Sequence, residues 1–402
     1  MPYTFKQIAE IMDPVQPAQT LKELIQMHRW LPGQNHADIT LETLRARHEH
    51  PQKVELRLLV YNVFLLSEIR IPIGAIGGSL LGMLGGRFGM LGGALVGTFT
   101  DLRKQTSIDV HQKPAVIARA REIGQAVKPL FDIAAFSEAF NPGEQSLILD
   151  AWHEDEMPYT ATGPAKSGVL TKQSSGLFTL SRLPIVRTKK YIFKNRGRRT
   201  RDADAWANKG VLLTEHDLGL ERGNLEIYST HLLNGGGLIG KPSLKQRIKH
   251  QLHQVKEIVE FYLQTHNPAN IALIVGDFNI DAHDVIRING KTPYQHLMAL
   301  MQQINMQDVW QERNGTPGYT TEPNGRLHEI CADDGKATGH CDDFHTNTDL
   351  GSRIDYIFAQ CPHPEHGVMM DITRPRRRAF PRASSAPGYD RIQYLSDHLG
   401  LE

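Results

Sequence analysis

Eight polar residues in this chain sit in or just beyond apolar runs: Asn62, Glu138, His231, Asp277, Asn279, Asp355, Asp397 and His398. The oxygen donors Asn62 and Glu138 suit a hard divalent cation such as Mg²⁺, which keeps several waters and takes few protein ligands. Two histidines accompanied by acids offer a general base and a charge stabiliser for attack of water on phosphorus. Taken singly, each has a plainer reading. Asn62 is a satisfied core amide, Glu138 a surface acid, His231 a strand-end histidine, and Asp277 with Asn279 a polar cap where a strand meets a loop. Their joint occurrence is what points to a site.

The elements that carry them read as strands. Ile271-Ala-Leu-Ile-Val-Gly-Asp-Phe-Asn-Ile-Asp281 is an unbroken apolar run that stops at Gly276, Asp277 and Asn279, as expected of a strand buried on both faces. Two residues apart on an extended segment, Asp277 and Asn279 share one side, so both are expected to reach one centre. Leu56 to Leu65 is an apolar strand with Asn62 inside it, and burying that amide requires a partner. Leu130 to Phe140 carries Glu138, Gly176 to Ile185 is a strand closed by a proline turn, and Val211–Glu215 pairs with Leu225–Leu232, which holds His231. Ile354–Phe358 carries Asp355, and a last strand, Tyr394–Leu401, carries Asp397 and His398. Amphipathic helices are expected over 107–130, 245–264 and 293–305. Strands alternating with helices and hairpins bring such ends to one edge of a layered sheet, where α/β sites form.

The 402 residues hold 45 Lys+Arg against 44 Asp+Glu, a formal charge of +1, so no global field draws the chain to nucleic acid. Any such argument rests on local patches: the basic, aromatic-interleaved segment 189–209 and the run Arg374–Arg378. Three cysteines, Cys331, Cys341 and Cys361, make no disulfide framework, though Cys331 and Cys341 can pair. His340 and His345 lie near them, but the spacing matches no standard zinc pattern. Residues 1–50 read as short external helices. The first residues lack a basic head followed by an apolar core, so no secretory signal is seen. The expected location is cytoplasmic, membrane-associated, or outside by a signal-independent route.

Composition changes sharply at 71–100, which holds ten glycines and one charge, Arg87. Glycines at 74, 78, 82 and 86, then 89, 93 and 97, would form a smooth helical ridge like a glycine zipper. Glycine costs about 1 kcal/mol per residue relative to alanine in a helix in water, so such a helix needs a partner surface or lipid. Insertion or docking of 72–99 in a bilayer is the leading expectation; burial against protein and a loop are the alternatives.

The order YNVFLL, FSEAF, LFTLSRLPI, YSTHL, VGDFN, IDYIF and SDH resembles the endonuclease/exonuclease/phosphatase superfamily over 56–402, apart from the Gly-rich insertion. Within it, YNVFLLS, SEAFN, KYIFKN followed by ANKGVLL, and GKPSLKQRIKHQLHQVKEI look most like the bacterial neutral sphingomyelinases. That resemblance implies a DNase I-like four-layer α/β sandwich: two central mixed β-sheets flanked by helices, over 51–402, with an insertion at about 71–100 and an N-terminal helical extension over 1–50. It also implies a metal-dependent phosphodiesterase using Mg²⁺, with Mn²⁺ or Co²⁺ able to replace it. Glu138 would bind the metal with Asn62 assisting, His398 would be the general base, and Asp355 would orient a catalytic histidine. Asp397 would support the site, while Asp277, Asn279 and His231 would stabilise phosphoryl oxygens and leaving group. The substrate implied is sphingomyelin or a related phospholipid at a membrane surface. Two departures stand out: no signal peptide, and a basic late region with only Phe380 and Tyr389 where relatives carry an aromatic hairpin. A nuclease of the same superfamily and a catalytically silent membrane-binding protein are the alternative readings; near-zero charge and the glycine ridge favour lipid over nucleic acid.

Overall fold

The computed structural model describes residues 54–65, 113–152, 159–167, 172–197, 207–220, 223–234, 243–321, 351–360, 370–387 and 394–402. The N-terminal extension 1–50, the Gly-rich segment 71–100, the middle of the basic segment, Tyr389 and the three cysteines with His340 and His345 lie outside the described residues.

In chain order the elements are β1 (Leu58–Leu65), α1 (Lys113–Val127), β2 (Ile133–Ala139), α2 (Pro142–Leu149), β3 (Tyr159–Thr162), β4 (Ala165–Ser167), β5 (Lys172–Ser174), β6 (Phe178–Ser181), β7 (Ile185–Ile192), β8 (Gly210–His216) and β9 (Leu225–His231). They continue as α3 (Leu244–Thr265), β10 (Ile271–Asp277), α4 (Pro293–Met301), β11 (Met306–Asp308), α5 (Val309–Arg313), β12 (Asp355–Gln360), β13 (Arg377–Arg378) and β14 (Gly400–Leu401). One six-stranded sheet runs β13-β14-β1-β2-β6-β3, and a second runs β11-β12-β10-β9-β8-β7. Each is mixed, with parallel pairs β1·β2 and β9·β10 at its centre and antiparallel neighbours outside.

Side-chain alternation along the strands assigns the layers. Leu59, Tyr61, Ala134 and Phe136 pack with Ala120 and Ile123 of α1 and Ile148 of α2. Tyr228, Ala272, Ile274, Tyr356 and Phe358 pack with Val255 and Ile258 of α3 and Leu297 of α4. The opposite faces, with Val60, Ile133, Ala135, Ile227, Leu273, Val275 and Ile357, meet between the sheets. The result is the four-layer α/β sandwich with two mixed sheets, as expected. Helix starts are capped by Asn141, Ser243 and Thr292, whose side chains accept from Gly143, Gln246 and Gln295 N–H groups.

Three expected elements come out differently. The run Gly176–Ile185 divides at 182–184, because Pro184 cannot continue a ladder and the chain leaves one sheet there for the other. The basic segment expected from Lys189 starts inside strand β7, the edge of the second sheet. The final strand shrinks to β14, so Asp397 and His398 stand on the preceding loop. Among the described residues no helix is long and apolar enough to cross a membrane.

Candidate active site

The alternation that builds the inter-sheet core also aims the polar residues. Asn62 follows Val60 on β1, His231 follows Ile227 at even spacing on β9, Asp277 follows Val275 on β10, and Asp355 precedes Ile357 on β12. All four therefore project between the sheets, at the edge where the parallel strands end. Register aligns them, since Asp277 pairs with His231 on one side and with Asp355 on the other.

Glu138 does not follow this pattern. Ile133 and Ala135 face the second sheet while Ala134 and Phe136 face the helices, so unbroken alternation would turn Glu138 towards the helices. Its φ of +63° takes it out of the extended conformation and lets its carboxylate meet Asn62. Opposite it, β1 shifts register between Asn62 and Leu65, with Phe64 at φ +47°. Left-handed backbone at non-glycine residues is costly and persists where surroundings enforce it. Here Arg119 of α1 supplies some of that enforcement, donating to the carbonyls of Phe64 at 2.7 Å and Leu395 at 3.0 Å.

Asn62 joins the sheets. Its Nδ2 donates to Glu138 Oε1 and to Asp277 Oδ2, each at 3.0 Å, and its Oδ1 accepts from Phe64 N at 3.1 Å. In this arrangement the amide nitrogen faces the carboxylates, so Asn62 holds two acids together rather than offering its oxygen as the expected metal ligand. Asn279 also departs from expectation. The chain leaves the sheet after Asp277, Asn279 has φ +50°, and its Nδ2 donates to the Leu232 carbonyl at 3.2 Å. Its backbone N–H, not its side chain, reaches Asp277 Oδ1, at 2.8 Å.

The remaining groups form a second cluster. His398 Nδ1 lies 2.8 Å from Asp355 Oδ2. Ser396 Oγ accepts from the His398 N–H and donates to the Asn62 carbonyl at 2.6 Å, tying the Asp397–His398 loop to β1. Asp397 Oδ1 lies 3.3 Å from the same hydroxyl.

One residue escaped the sequence reading as a site residue. Lys209 is buried beside β8, with Nζ 3.0 Å from His231 Nε2 and 2.7 Å from the Leu232 carbonyl. An ammonium only donates, so His231 Nε2 is the acceptor and the ring proton sits on Nδ1, which is buried without a partner. The available signal was a lysine directly before the apolar strand Gly210–His216, a place where a charge needs a reason.

Electrostatics follow from this crowding. Burial, followed by Asp397, pushes the Glu138 carboxyl up to about 7. Burial and then Asp355 push Asp277 up as well. His231 is held well below its ordinary value by burial, Lys209 and His398. Burial opposes charge on His398, but Asp355, Asp397 and Asp277 outweigh it and raise that ring well above the usual histidine range.

A divalent cation fits this donor set. Glu138 Oε2 is buried with no hydrogen-bond partner, and oxygen or nitrogen atoms of Glu138, His231 and Asp277 lie within 4.8 Å of one another. Burial first, and a neighbouring acid second, disfavour the anionic form of both carboxyls, a cost that a bound cation would offset. Glu138 and Asp277 are the residues best placed to hold the ion.

A model of the endonuclease/exonuclease/phosphatase family matches residues 105–398. The chain belongs to this family. Sequence comparison with curated proteins gives no significant match. Among solved structures it resembles a Staphylococcus aureus beta toxin, with 18% identity, a TM-score of 0.52, and coverage of 86% of this chain and 98% of that one. Sphingomyelinase C from Streptomyces griseocarneus gives 18% identity and a TM-score of 0.52, covering 87% of this chain and 98% of the other. SmcL gives 17% and 0.52, over 86% and 97%. At these identities the likeness is one of fold. The endonuclease/exonuclease/phosphatase sandwich is what sets β1, β2, β9, β10 and β12 edge to edge and makes the site a product of both sheets.

Proposed function

We propose that this family member is a Mg²⁺-dependent phosphodiesterase that hydrolyses sphingomyelin or a related phospholipid and releases a phosphorylated head group. The observation that carries the reading is the convergence of Glu138 and Asp277, from different sheets, on one amide, beside the Asp355–His398 pair.

A bound divalent cation supplies charge neutralisation at the phosphoryl group and acidifies water. With the surrounding carboxylates compensated, the His398 imidazole returns towards neutrality. Its Nδ1 is held by Asp355, so Nε2 is the nitrogen that takes the proton from attacking water as the phosphorus–oxygen bond to the lipid breaks, and the departing lipid alkoxide takes its proton from solvent water. The Lys209 ammonium lies close enough to act on Glu138 and Asp277, where it stabilises charge on the phosphoryl oxygens, and the neutral His231 ring accepts from it and orients it. Asp277 and Asn279 fix the geometry of the β10 end, and Asp397 supports the loop that presents His398.

The lipid substrate is supported by the resemblance of YNVFLLS, SEAFN and ANKGVLL to sphingomyelinases and by the sphingomyelinase C among the similar folds. A nucleic-acid substrate is disfavoured by the late arginine run. Arg377 is buried and donates to the Tyr319 carbonyl at 2.7 Å, Arg378 pairs with Glu402 at 2.6 Å, and Arg374 bonds Asn314, so these cations are engaged within the protein. Attachment to the bilayer through 72–99 remains part of the proposal, tested by vesicle flotation of a deletion lacking that segment. Phosphocholine release from mixed micelles, measured beside plasmid nicking with Mg²⁺ and with EDTA, tests the substrate class. Nicking without phosphocholine release overturns the lipid reading.

A further inference from the structure

Among the described residues, large exposed apolar side chains occur at both edges of the sandwich, four at one and three at the other. Val54 precedes β1, Tyr159 opens β3, Val186 opens β7 and Leu263 lies near the end of α3; pairings such as Tyr159 with Ser181 and Ile185 with His216 put this end opposite the site. The other three, Leu244, Val285 and Ile286, belong to segments that leave the site edge itself. Leu244 begins α3, which follows the His231 strand; Val285 and Ile286 lie on the loop that follows Asp277 and Asn279. Val285 is 84% exposed, the highest of the seven.

The two segments are neighbours, because Gln251 Nε2 of α3 donates to the Asn279 carbonyl at 2.8 Å, just ahead of the loop. The loop tip is rigidly built. Asp281 Oδ1 accepts from His283 N at 3.1 Å, Asp284 Oδ1 accepts from Ile286 N at 2.9 Å, and Ile288 and Lys291 form a bridge. Asp281 and Asp284 are thus turned to backbone N–H groups, and Arg287 donates one N–H to the Gly290 carbonyl at 2.9 Å while it and Lys291 stay exposed.

An exposed aliphatic pair flanked by cations, on a rigid loop beside a site for phosphodiesters, has the chemistry of an interfacial anchor: apolar tip among acyl chains, cations at the phosphates. We propose that loop 281–291, with the first turn of α3, is a lipid-docking surface that sets the site edge against a bilayer. The role assigned to this surface rests on the phospholipid reading above, but its affinity for a bilayer is measurable without turnover.

The test is flotation of the full chain, in EDTA, with vesicles of phosphatidylcholine and phosphatidylserine. Val285→Ser combined with Ile286→Ser is expected to lower the bound fraction about tenfold, from the apolar area withdrawn from lipid. Leu263→Ser, on the opposite edge, is expected to change nothing. Both variants are expected to hydrolyse soluble bis(p-nitrophenyl) phosphate at the rate of the unaltered protein. Unchanged flotation of the double variant, an equal loss with Leu263→Ser, or a changed self-association with unchanged flotation overturns the docking surface. Failure of the unaltered protein to hydrolyse any phosphodiester instead removes the enzymatic reading while leaving the flotation result standing.

Discussion

Lys209 Nζ lies 3.0 Å from His231 Nε2 in a buried space, so burial first and the lysine's charge second keep this histidine neutral. Replacing Lys209 with Met removes that cation and leaves the Leu232 carbonyl without its donor. The expected loss of stability is about 1–3 kcal/mol, the range for an unsatisfied buried acceptor, read from denaturant unfolding. The His231 ring, followed by NMR, is expected to titrate at higher pH than in the unaltered protein, and a downward or absent shift contradicts this geometry.

Asp355→Asn keeps the shape of the Asp355–His398 contact and removes its charge. His398 is raised because Asp355, Asp397 and Asp277 outweigh burial, so loss of the first of these acids moves its titration to lower pH. Turnover is expected to fall by about 10²–10⁴, the contribution of a positioned general base. An unaltered titration in the metal-free variant is incompatible with the assigned contact.

With Glu138 as the proposed metal ligand, metal and protons are expected to compete for its carboxylate. Its carboxyl is pushed up to about 7, so below that value the proton is favoured and above it the anion awaits a cation. A saturating divalent ion at about 100 times its dissociation constant stabilises the fold by about 2.7 kcal/mol, and the gain is expected to be larger near pH 8 than near pH 6. Glu138→Gln is expected to abolish most of it. Differential scanning calorimetry with Mg²⁺ and with EDTA measures both; a Mg²⁺ shift independent of pH and of Glu138 argues for a different ion site.

His216 bridges the two sheets, with Nδ1 3.0 Å from Ser181 Oγ and Nε2 2.9 Å from Thr214 Oγ1. Burial lowers it from 6.5 to about 4. The unfolded chain takes up a proton first as pH falls, so the stability tied to this ring is present above about 6.5 and is lost down to about 4. The full difference is about 3 kcal/mol. His216→Gln is expected to melt lower at neutral pH but with a shallower acid slope than the unaltered protein, and an equal slope removes His216 as the acid-labile group.

Much of this arrangement was legible in the sequence because period-two alternation carries it. Val60 and Asn62, Val275 and Asp277, and Asp355 and Ile357 reveal by spacing alone that the polar member shares the buried face of its strand. Glu138 was found from its apolar strand, yet its orientation was not legible, because a left-handed φ breaks the alternation and depends on the bulge across from it. Asn279 misled for a related reason: the chain turns at φ +50°, so the extended spacing from Asp277 no longer applies. Lys209 had one signal, its place directly before the apolar strand Gly210–His216, but the basic run around it obscured that signal, and it is the tertiary packing of β8 against β9 that buries it. The last strand was overestimated because Leu395 and Leu399 are buried on a loop rather than in a ladder.

The central claim is that His398 activates water at a metal-assisted phosphodiesterase site. It is tested most directly by the rate of phosphocholine release from sphingomyelin micelles by His398→Ala at saturating Mg²⁺. Turnover is expected to fall by at least about 10²–10⁴, with the unfolding transition and its Mg²⁺ shift retained. Release by the variant at the rate of the unaltered protein would contradict it.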